Sequence, residues 1–147
     1  MRIFVGFELS DALKNQISTF IKDHITSGNI TRSENQHLTM LFLGEIEEKQ
    51  LKAFIALFKG WTMPTIKAKC LRVRKLRDIV VIEIEKHPYL LSIHQQLKEN
   101  AQKAKINIDK RCFFPHVTIA YKNQQEIFLP FDYLECFKKL VVFRSEF

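Results

Sequence analysis

The segment HLTMLFLG at 37–44 is the most informative part of the sequence for the architecture, because its first four residues have a counterpart in HVTI at 116–119. Each copy is short and rich in β-favouring residues, so we predict a strand at each. Along a strand, side chains at positions i and i+2 share a face. Each His therefore projects together with the Thr two positions later, while the apolar residues between them face the core. A strand with His and Thr on its open face indicates polar chemistry there.

Strands and helices alternate along the rest of the chain. The apolar spacing predicts strands at 2–8, 37–43, 65–73, 79–85, 113–121, 128–131 and 140–143. Helices are predicted from the N-cap Ser10 to a stop at Gly28, over 47–59 before Gly60, and from Pro88 to Ala104. The hairpin-like pair around 74–78 excludes a wholly parallel sheet, so we predict the α+β class and one domain spanning 1–147.

Composition limits the kinds of protein this chain can be. Of 147 residues, 46% are hydrophobic and thirteen are Phe, which is enough for a sizeable core. No apolar run is long enough for a membrane span or a signal peptide, so we expect a cytoplasmic protein that binds no membrane. The thiols Cys70, Cys112 and Cys136 form no CxxC pair, and we expect them to be reduced and mostly buried.

The two motifs together predict a site. Their similar flanks suggest two related lobes facing one another, so that one groove would hold two His and two Thr side chains. Imidazoles have a pKa of about 6.5, which lets one act as base and the other as acid. Two hydroxyls can donate hydrogen bonds to the non-bridging oxygens of a phosphate. A metal site is the alternative, but no Asp, Glu or Cys stands at ligand spacing beside either motif.

Three stretches carry a family resemblance: MRIFVGFEL at 1–9, QHLTMLFLGEI at 36–46 and FFPHVTIAYK at 113–122. They resemble the 2H phosphoesterase superfamily, and within it the RNA 2′,3′-cyclic phosphodiesterases, once called 2′-5′ RNA ligases. The resemblance implies a bilobal α+β fold in which two pseudo-symmetric, antiparallel-rich sheets line a central groove with the helices outside. It also implies a groove that uses neither metal nor organic cofactor.

The resemblance further implies an activity, the hydrolysis of 2′,3′-cyclic phosphate ends of RNA or nucleotides to 2′-phosphates. Carried over by position, His37 and His116 are the acid–base pair, and Thr39 and Thr118 hold the phosphate. We expect His116 to activate water as the base and His37 to protonate the departing 3′-oxygen as the acid.

This sequence departs from the family after the second motif. The family often has Arg five positions after the second His, where this chain has Tyr121 followed by Lys122. Strict alternation would turn Lys122 toward the face of His116, so we expect Lys122 to supply the positive charge. The equivalent position after the first His is Phe42. It could stack on a base, or pack in the core on the side of the apolar motif residues, where alternation places it.

The net charge of +7 favours a polyanionic partner, so RNA or a nucleotide with a 2′,3′-cyclic phosphate end is the expected ligand of a monomer. The basic segment 67–77 and the turn Lys110–Arg111 would attract an RNA backbone if they border the groove. Two other functions remain open. One is an RNA-binding protein without significant turnover. The other is a 2H enzyme that acts on small cyclic nucleotides, a 1″,2″-cyclic ADP-ribose phosphate or 2′-5′ linked RNA.

Overall fold

The computed structural model of the chain describes residues 1–109 and 111–145, so Lys110 of the predicted basic turn lies outside the described residues. This part of the chain contains three α-helices, eight strands and a short 3₁₀ turn at Ser33–Asn35. The helices are α1 (Asp11–His24), α2 (Glu48–Ala56) and α3 (Pro88–Lys103). The strands are β1 (Arg2–Glu8), β2 (Asn29–Ile30), β3 (His37–Glu45), β4 (Ile66–Leu76), β5 (Ile79–Ile84), β6 (His116–Tyr121), β7 (Phe128–Phe137) and β8 (Leu140–Arg144).

The strands form two sheets in which every pairing is antiparallel. The first sheet has the order β3-β1-β8, and the second has the order β2-β6-β5-β4-β7. The two strands that carry the motifs, β3 and β6, therefore belong to different sheets. The predicted α+β class, with two antiparallel sheets, is confirmed.

The helices each bury one apolar stripe in a core shared by both sheets. Phe7 of β1, Phe54 of α2 and Phe137 of β7 are among the largest fully buried side chains. Burying a side chain of this size contributes roughly 1.5–3 kcal/mol, so the helices are held by packing on the sheets. In residues 1–109 and 111–145, none of the helices has the length and apolar character needed to cross a membrane.

Several predicted boundaries are corrected. Ser10 caps α1 as predicted, with its hydroxyl accepting from the Leu13 amide at 3.1 Å. The helix ends at His24 rather than at Gly28, because Ile25 is already extended. Similarly, α2 ends at Ala56 and continues only as turns toward Gly60.

The strands near the C-terminus also differ from the prediction. β6 begins at His116 instead of residue 113, because Pro115 has no N–H for a ladder hydrogen bond. β7 extends to Phe137, well beyond the predicted end at Phe131. It includes Pro130, which is tolerated because β7 is an edge strand of the second sheet. The two-residue strand β2 was not predicted, since its sequence is polar and short.

The cysteines differ in burial. Cys70 is buried in β4, which raises the pKa of its thiol to about 12. Cys136 is half-buried and Cys112 is exposed, so the expectation of mostly buried thiols is wrong. All three are free thiols.

Candidate active site

The first motif lies on β3, at one edge of the first sheet. Leu38 and Met40 are buried in the core, with 0% and 1% of their surface exposed. His37 and Thr39 alternate with them, are half-buried, and line an open groove. The alternation predicted for this motif is therefore the one found.

The second motif repeats this arrangement on β6. Val117 and Ile119 are completely buried, whereas His116 and Thr118 are half-buried and line the same groove. The groove has a volume of about 810 Å³, large enough for a nucleotide. The fold thus brings together four side chains that are far apart along the sequence.

Phe42 also faces this groove, with 60% of its surface exposed. Consecutive residues of β1 pair with Leu41 and Thr39, which leaves Met40 as an extra residue in β3. This is a β-bulge, and after it the alternation is shifted by one position. Met40 and Leu41 both face the core, and Phe42 turns outward. Strict alternation placed Phe42 in the core, and that placement is wrong.

A matching bulge interrupts β6. Consecutive residues of β5 pair with Ala120 and Thr118, which leaves Ile119 as the extra residue. Ile119 and Ala120 are both buried, and Tyr121 lines the groove with 48% of its surface exposed. The pseudo-symmetry of the two motifs therefore extends to the fifth position after each His.

The backbone carbonyls at both bulges have hydrogen-bond donors. The carbonyl of Met40 accepts from Nδ1–H of His94 at 2.7 Å, and the His94 ring stacks on Phe113 with centroids 4.3 Å apart. The carbonyl of Ile119 accepts from the amide of Thr31 at 2.9 Å. These bonds compensate groups that a bulge would leave unsatisfied and help to fix the direction of the aromatic side chains.

Lys122 is not among the residues that line the groove. β6 ends at Tyr121, and Lys122 has a left-handed backbone with φ of 51°. The alternation that was expected to turn Lys122 toward His116 stops at the bulge, so that prediction is wrong. In the part of the chain that the structure describes, the Lys and Arg side chains that line the groove are Arg2, Arg32 and Arg144.

The positions of these three arginines were not predicted from the sequence. They come from β1, the segment before the 3₁₀ turn, and β8, and nothing in their local sequence marks them. Arg32 lies 4.0 Å from the Glu34 carboxylate. The only sequence signal was the overall excess of positive charge, which gives no position.

Two phenylalanine rings lie beside His37 in the groove. The ring of Phe143 lies 4.1 Å from the His37 ring, and Phe4 stacks on Phe143 with centroids 4.9 Å apart. Phe4 also lies 5.7 Å from His37. The alternation in β1 turns Phe4 to the face of the strand away from the buried side chains of Val5 and Phe7. Only the pairing of β1 with β3 and β8 puts Phe4 beside His37.

The surroundings of the two imidazoles affect where each one carries its proton and how readily it takes one up. Nδ1 of His116 lies 2.7 Å from the carbonyl of Phe114, and because a carbonyl only accepts, this nitrogen carries the hydrogen. Nε2 of His116 is then left for the groove. Burial lowers the pKa of His37, and the nearby charge of Lys14 lowers it further, against smaller opposing effects of the Glu34 backbone and Glu8. A lowered pKa favours neutral His37, which does not suit the acid role expected for it.

The alternative of a metal site requires a cluster of ligand side chains. Among residues 1–109 and 111–145, no three His, Cys, Asp or Glu side chains are placed to share a metal ion. The groove instead presents imidazole, hydroxyl and guanidinium groups, which are suited to proton transfer and to holding an anion.

Two antiparallel sheets that meet along a groove, with helices outside, make up the fold of the 2H phosphoesterases, and comparison with solved structures confirms this resemblance. The Thermus thermophilus protein TT0787 superposes with a TM-score of 0.88 at 19% identity, covering 99% of this chain and 89% of that one. Escherichia coli LigT in complex with 3′-AMP gives 0.83 at 21% identity, covering 99% and 88%. At these identities the likeness establishes the fold alone.

The names of sequence relatives are more specific about activity than the likeness in fold. A Thermotoga maritima protein named RNA 2′,3′-cyclic phosphodiesterase is 25% identical over 130 residues, which cover 81% of this chain and 68% of the relative. No protein-family model matches the chain. The chain therefore has the 2H phosphoesterase fold and homologues that carry the name RNA 2′,3′-cyclic phosphodiesterase.

Proposed function

We propose that this protein hydrolyses 2′,3′-cyclic phosphate ends of RNA to 2′-phosphates. The observation that carries the proposal is the convergence of His37, Thr39, His116 and Thr118 in one groove. The name of the Thermotoga maritima relative supports the phosphodiester chemistry, and the 3′-AMP complex of LigT supports a nucleotide ligand for this fold.

The reaction needs one proton removed and one delivered. A neutral imidazole takes a proton from water, and the water oxygen forms a bond to phosphorus. The bond from phosphorus to the 3′-oxygen breaks, and that oxygen receives a proton from the second, charged imidazole. Thr39 and Thr118 donate hydrogen bonds to the non-bridging oxygens, where negative charge develops. The product is a 2′-phosphate with a free 3′-hydroxyl.

The groove offers further contacts to the nucleotide. We propose that Phe42 and Tyr121, which the two bulges turn into the groove, contact the base or ribose of the terminal nucleotide. Arg32 and Arg144 attract its phosphate as charged donors. The chain contributes both motifs, so a single copy contains the whole candidate site, and we propose a monomer. Its free thiols suit the reducing cytoplasm that we propose as its location.

The decisive experiment uses a short RNA ending in a 2′,3′-cyclic phosphate. Purified protein is incubated with it in the presence of EDTA, and the product is identified by chromatography against 2′- and 3′-phosphate standards. We expect a 2′-phosphate at an undiminished rate, because two imidazoles suffice for both proton transfers. Loss of activity with EDTA and recovery with zinc or manganese would contradict the mechanism. Binding of the RNA without turnover would instead make this an RNA-binding protein.

The pH dependence tests the division of roles between the imidazoles. The lowered pKa of His37 leads us to propose this residue as the base, which reverses the split expected from the sequence. A base is active when neutral, so kcat/KM falls when His37 gains a proton. We expect a bell-shaped profile of kcat/KM whose acidic limb lies below pH 6.5, the ordinary pKa of His.

A modified substrate gives an independent check of the same assignment. When sulfur replaces the bridging 3′-oxygen, the leaving thiolate needs no proton, because thiols have a pKa of about 8.5. The His116→Ala variant should then recover activity on the sulfur substrate, and His37→Ala should not. Recovery by His37→Ala alone would restore the original split, with His37 as the acid.

A further inference from the structure

The face of the second sheet that carries His116 continues beyond the groove. His116 on β6 pairs directly with Glu83 on β5, and Glu83 pairs with Arg72 on β4. Two residues along β4, Arg74 pairs with Phe128 on β7. Residues directly opposite one another in a sheet project from the same face. A line of side chains therefore runs from the candidate active site across three further strands.

This line is rich in positive charge and aromatic surface. Arg72 and Arg74 both form ion pairs with Glu83, whose side chain is only 12% exposed. One carboxylate balances only one of the two guanidinium charges, so the trio retains a charge of +1. Each guanidinium has five N–H donors, more than one shared carboxylate can accept. About a third of each arginine side chain remains open to a ligand, 36% and 33% respectively.

Two phenylalanines flank the arginines. The guanidinium carbon of Arg72 lies 5.8 Å from the ring centre of Phe128, and that of Arg74 lies 5.3 Å from the ring centre of Phe114. Phe114 in turn stacks against His116, with centroids 5.2 Å apart. Phe128 is 71% exposed, and the Arg72 guanidinium lies over one face of its ring. We call Arg72, Arg74, Phe114 and Phe128 the upstream patch.

The spacing of the patch suits a strand of RNA. Neighbouring strands in a sheet lie about 4.8 Å apart, so β4 is about 10 Å and β7 about 14 Å from β6. An RNA chain whose end is held at His116 can extend over this distance with its preceding nucleotides. Single-stranded nucleic acid binds to surfaces that combine cations along the backbone with exposed aromatic rings for the bases.

We propose that the upstream patch binds the nucleotides that precede the terminal cyclic phosphate of an RNA substrate. Arg72 and Arg74 hold the phosphodiester next to the terminal nucleotide, and Phe128 stacks on a base. The patch makes the enzyme favour an RNA end over a cyclic mononucleotide. This inference rests on the proposed function, because it takes the groove as the place where the cyclic phosphate is bound.

The test compares two substrates and two variants. The substrates are a nucleoside 2′,3′-cyclic phosphate and a tetranucleotide with the same end. A stacked base contributes about 1–3 kcal/mol, so Phe128→Ala should lower kcat/KM for the tetranucleotide about tenfold. Arg72→Gln should lower it by a similar factor and weaken its salt dependence. Both variants should leave kcat/KM for the mononucleotide within about twofold of the wild type, because that substrate does not reach the patch.

The matched control is Tyr89→Ala, which removes an aromatic ring that is 55% exposed on α3, away from the groove. This variant should leave kcat/KM unchanged for both substrates. Phe128 is exposed, so its variant is expected to fold, and thermal unfolding is measured for every variant. Equal loss on both substrates, or no loss on the tetranucleotide, would overturn the inference while the proposed function stands.

Failure of the proposed function has a different signature, in which the wild type hydrolyses neither substrate. The patch is then tested by binding alone, with the fluorescence anisotropy of a labelled tetranucleotide ending in a 2′-phosphate. Weaker binding by Phe128→Ala and Arg72→Gln, but not by Tyr89→Ala, would support the patch. Unchanged binding would refute it.

Discussion

Replacing either His37 or His116 by Ala is expected to lower kcat for the cyclic phosphate by about 10² to 10⁴, the range typical of a lost general acid or base. Both side chains line one groove, and the mechanism needs one of them to accept a proton and the other to donate one. Rates measured by chromatography on the RNA substrate test this directly. Because the two residues act as a unit, the double variant should be only slightly slower than the poorer single variant.

The matched control is His24→Ala, which removes an imidazole that is exposed at the end of α1 and does not line the groove. Its kcat should equal that of the wild type. Circular dichroism and thermal unfolding show whether each variant keeps the fold. A folded His37 or His116 variant with nearly normal turnover would remove that residue from the mechanism.

Gly6→Ala is expected to have the second-largest effect, on both stability and activity. Gly6 lies in β1 opposite Thr39, and a Cβ at this position would lie 2.6 Å from the carbonyl oxygen of Leu38 and 3.2 Å from the Cα of Thr39. Both atoms belong to the backbone of the first motif, so β3 has to move. Overpacking of this kind costs about 1–3 kcal/mol. Because His37 and Thr39 move with that backbone, kcat should also fall at least tenfold.

The control is Gly60→Ala, at a position after α2 where an added Cβ meets no atom within 4 Å. Gly60 has a φ of 77°, so its replacement costs left-handed strain of about 1–2 kcal/mol without touching the groove. Denaturant unfolding should show both variants destabilised, while only Gly6→Ala loses activity. A Gly6→Ala protein with wild-type kcat would show that β3 tolerates the displacement.

The regular elements could be predicted from the sequence, because their signals are local. β1 was predicted with its correct bounds, from the alternation of Ile3, Val5 and Phe7. The start of α1 was also predicted, since an N-cap Ser and the following helical spacing are both local features. The predicted boundaries were wrong where pairing with a neighbouring strand sets the end of an element. β7 continues past Phe131 because β4 offers it a partner along its whole length.

The candidate site was only partly predictable for the same reason. The positions of His37 and Thr39 relative to the core follow from the two-residue repeat of a strand, which any strand obeys. The directions of Phe42 and Tyr121 do not, because each depends on a bulge that arises from pairing with β1 or β5. Nothing in the sequence of either motif indicates that it contains a bulge with one extra residue.

Local patterns in the sequence were enough to predict the fold class, the main elements and the shared face of the His and Thr side chains within each motif. Contacts between strands put Tyr121 rather than Lys122 in the groove, bring Arg2, Arg32 and Arg144 to its lining, and extend an arginine-rich face from His116, and none of this could be predicted from the sequence. The features that could be predicted and those that could not differ in the distance along the chain over which their causes act. Helical and strand periodicity depends on neighbours along the chain, whereas bulges, ion pairs and groove walls depend on contacts between strands that are distant in sequence.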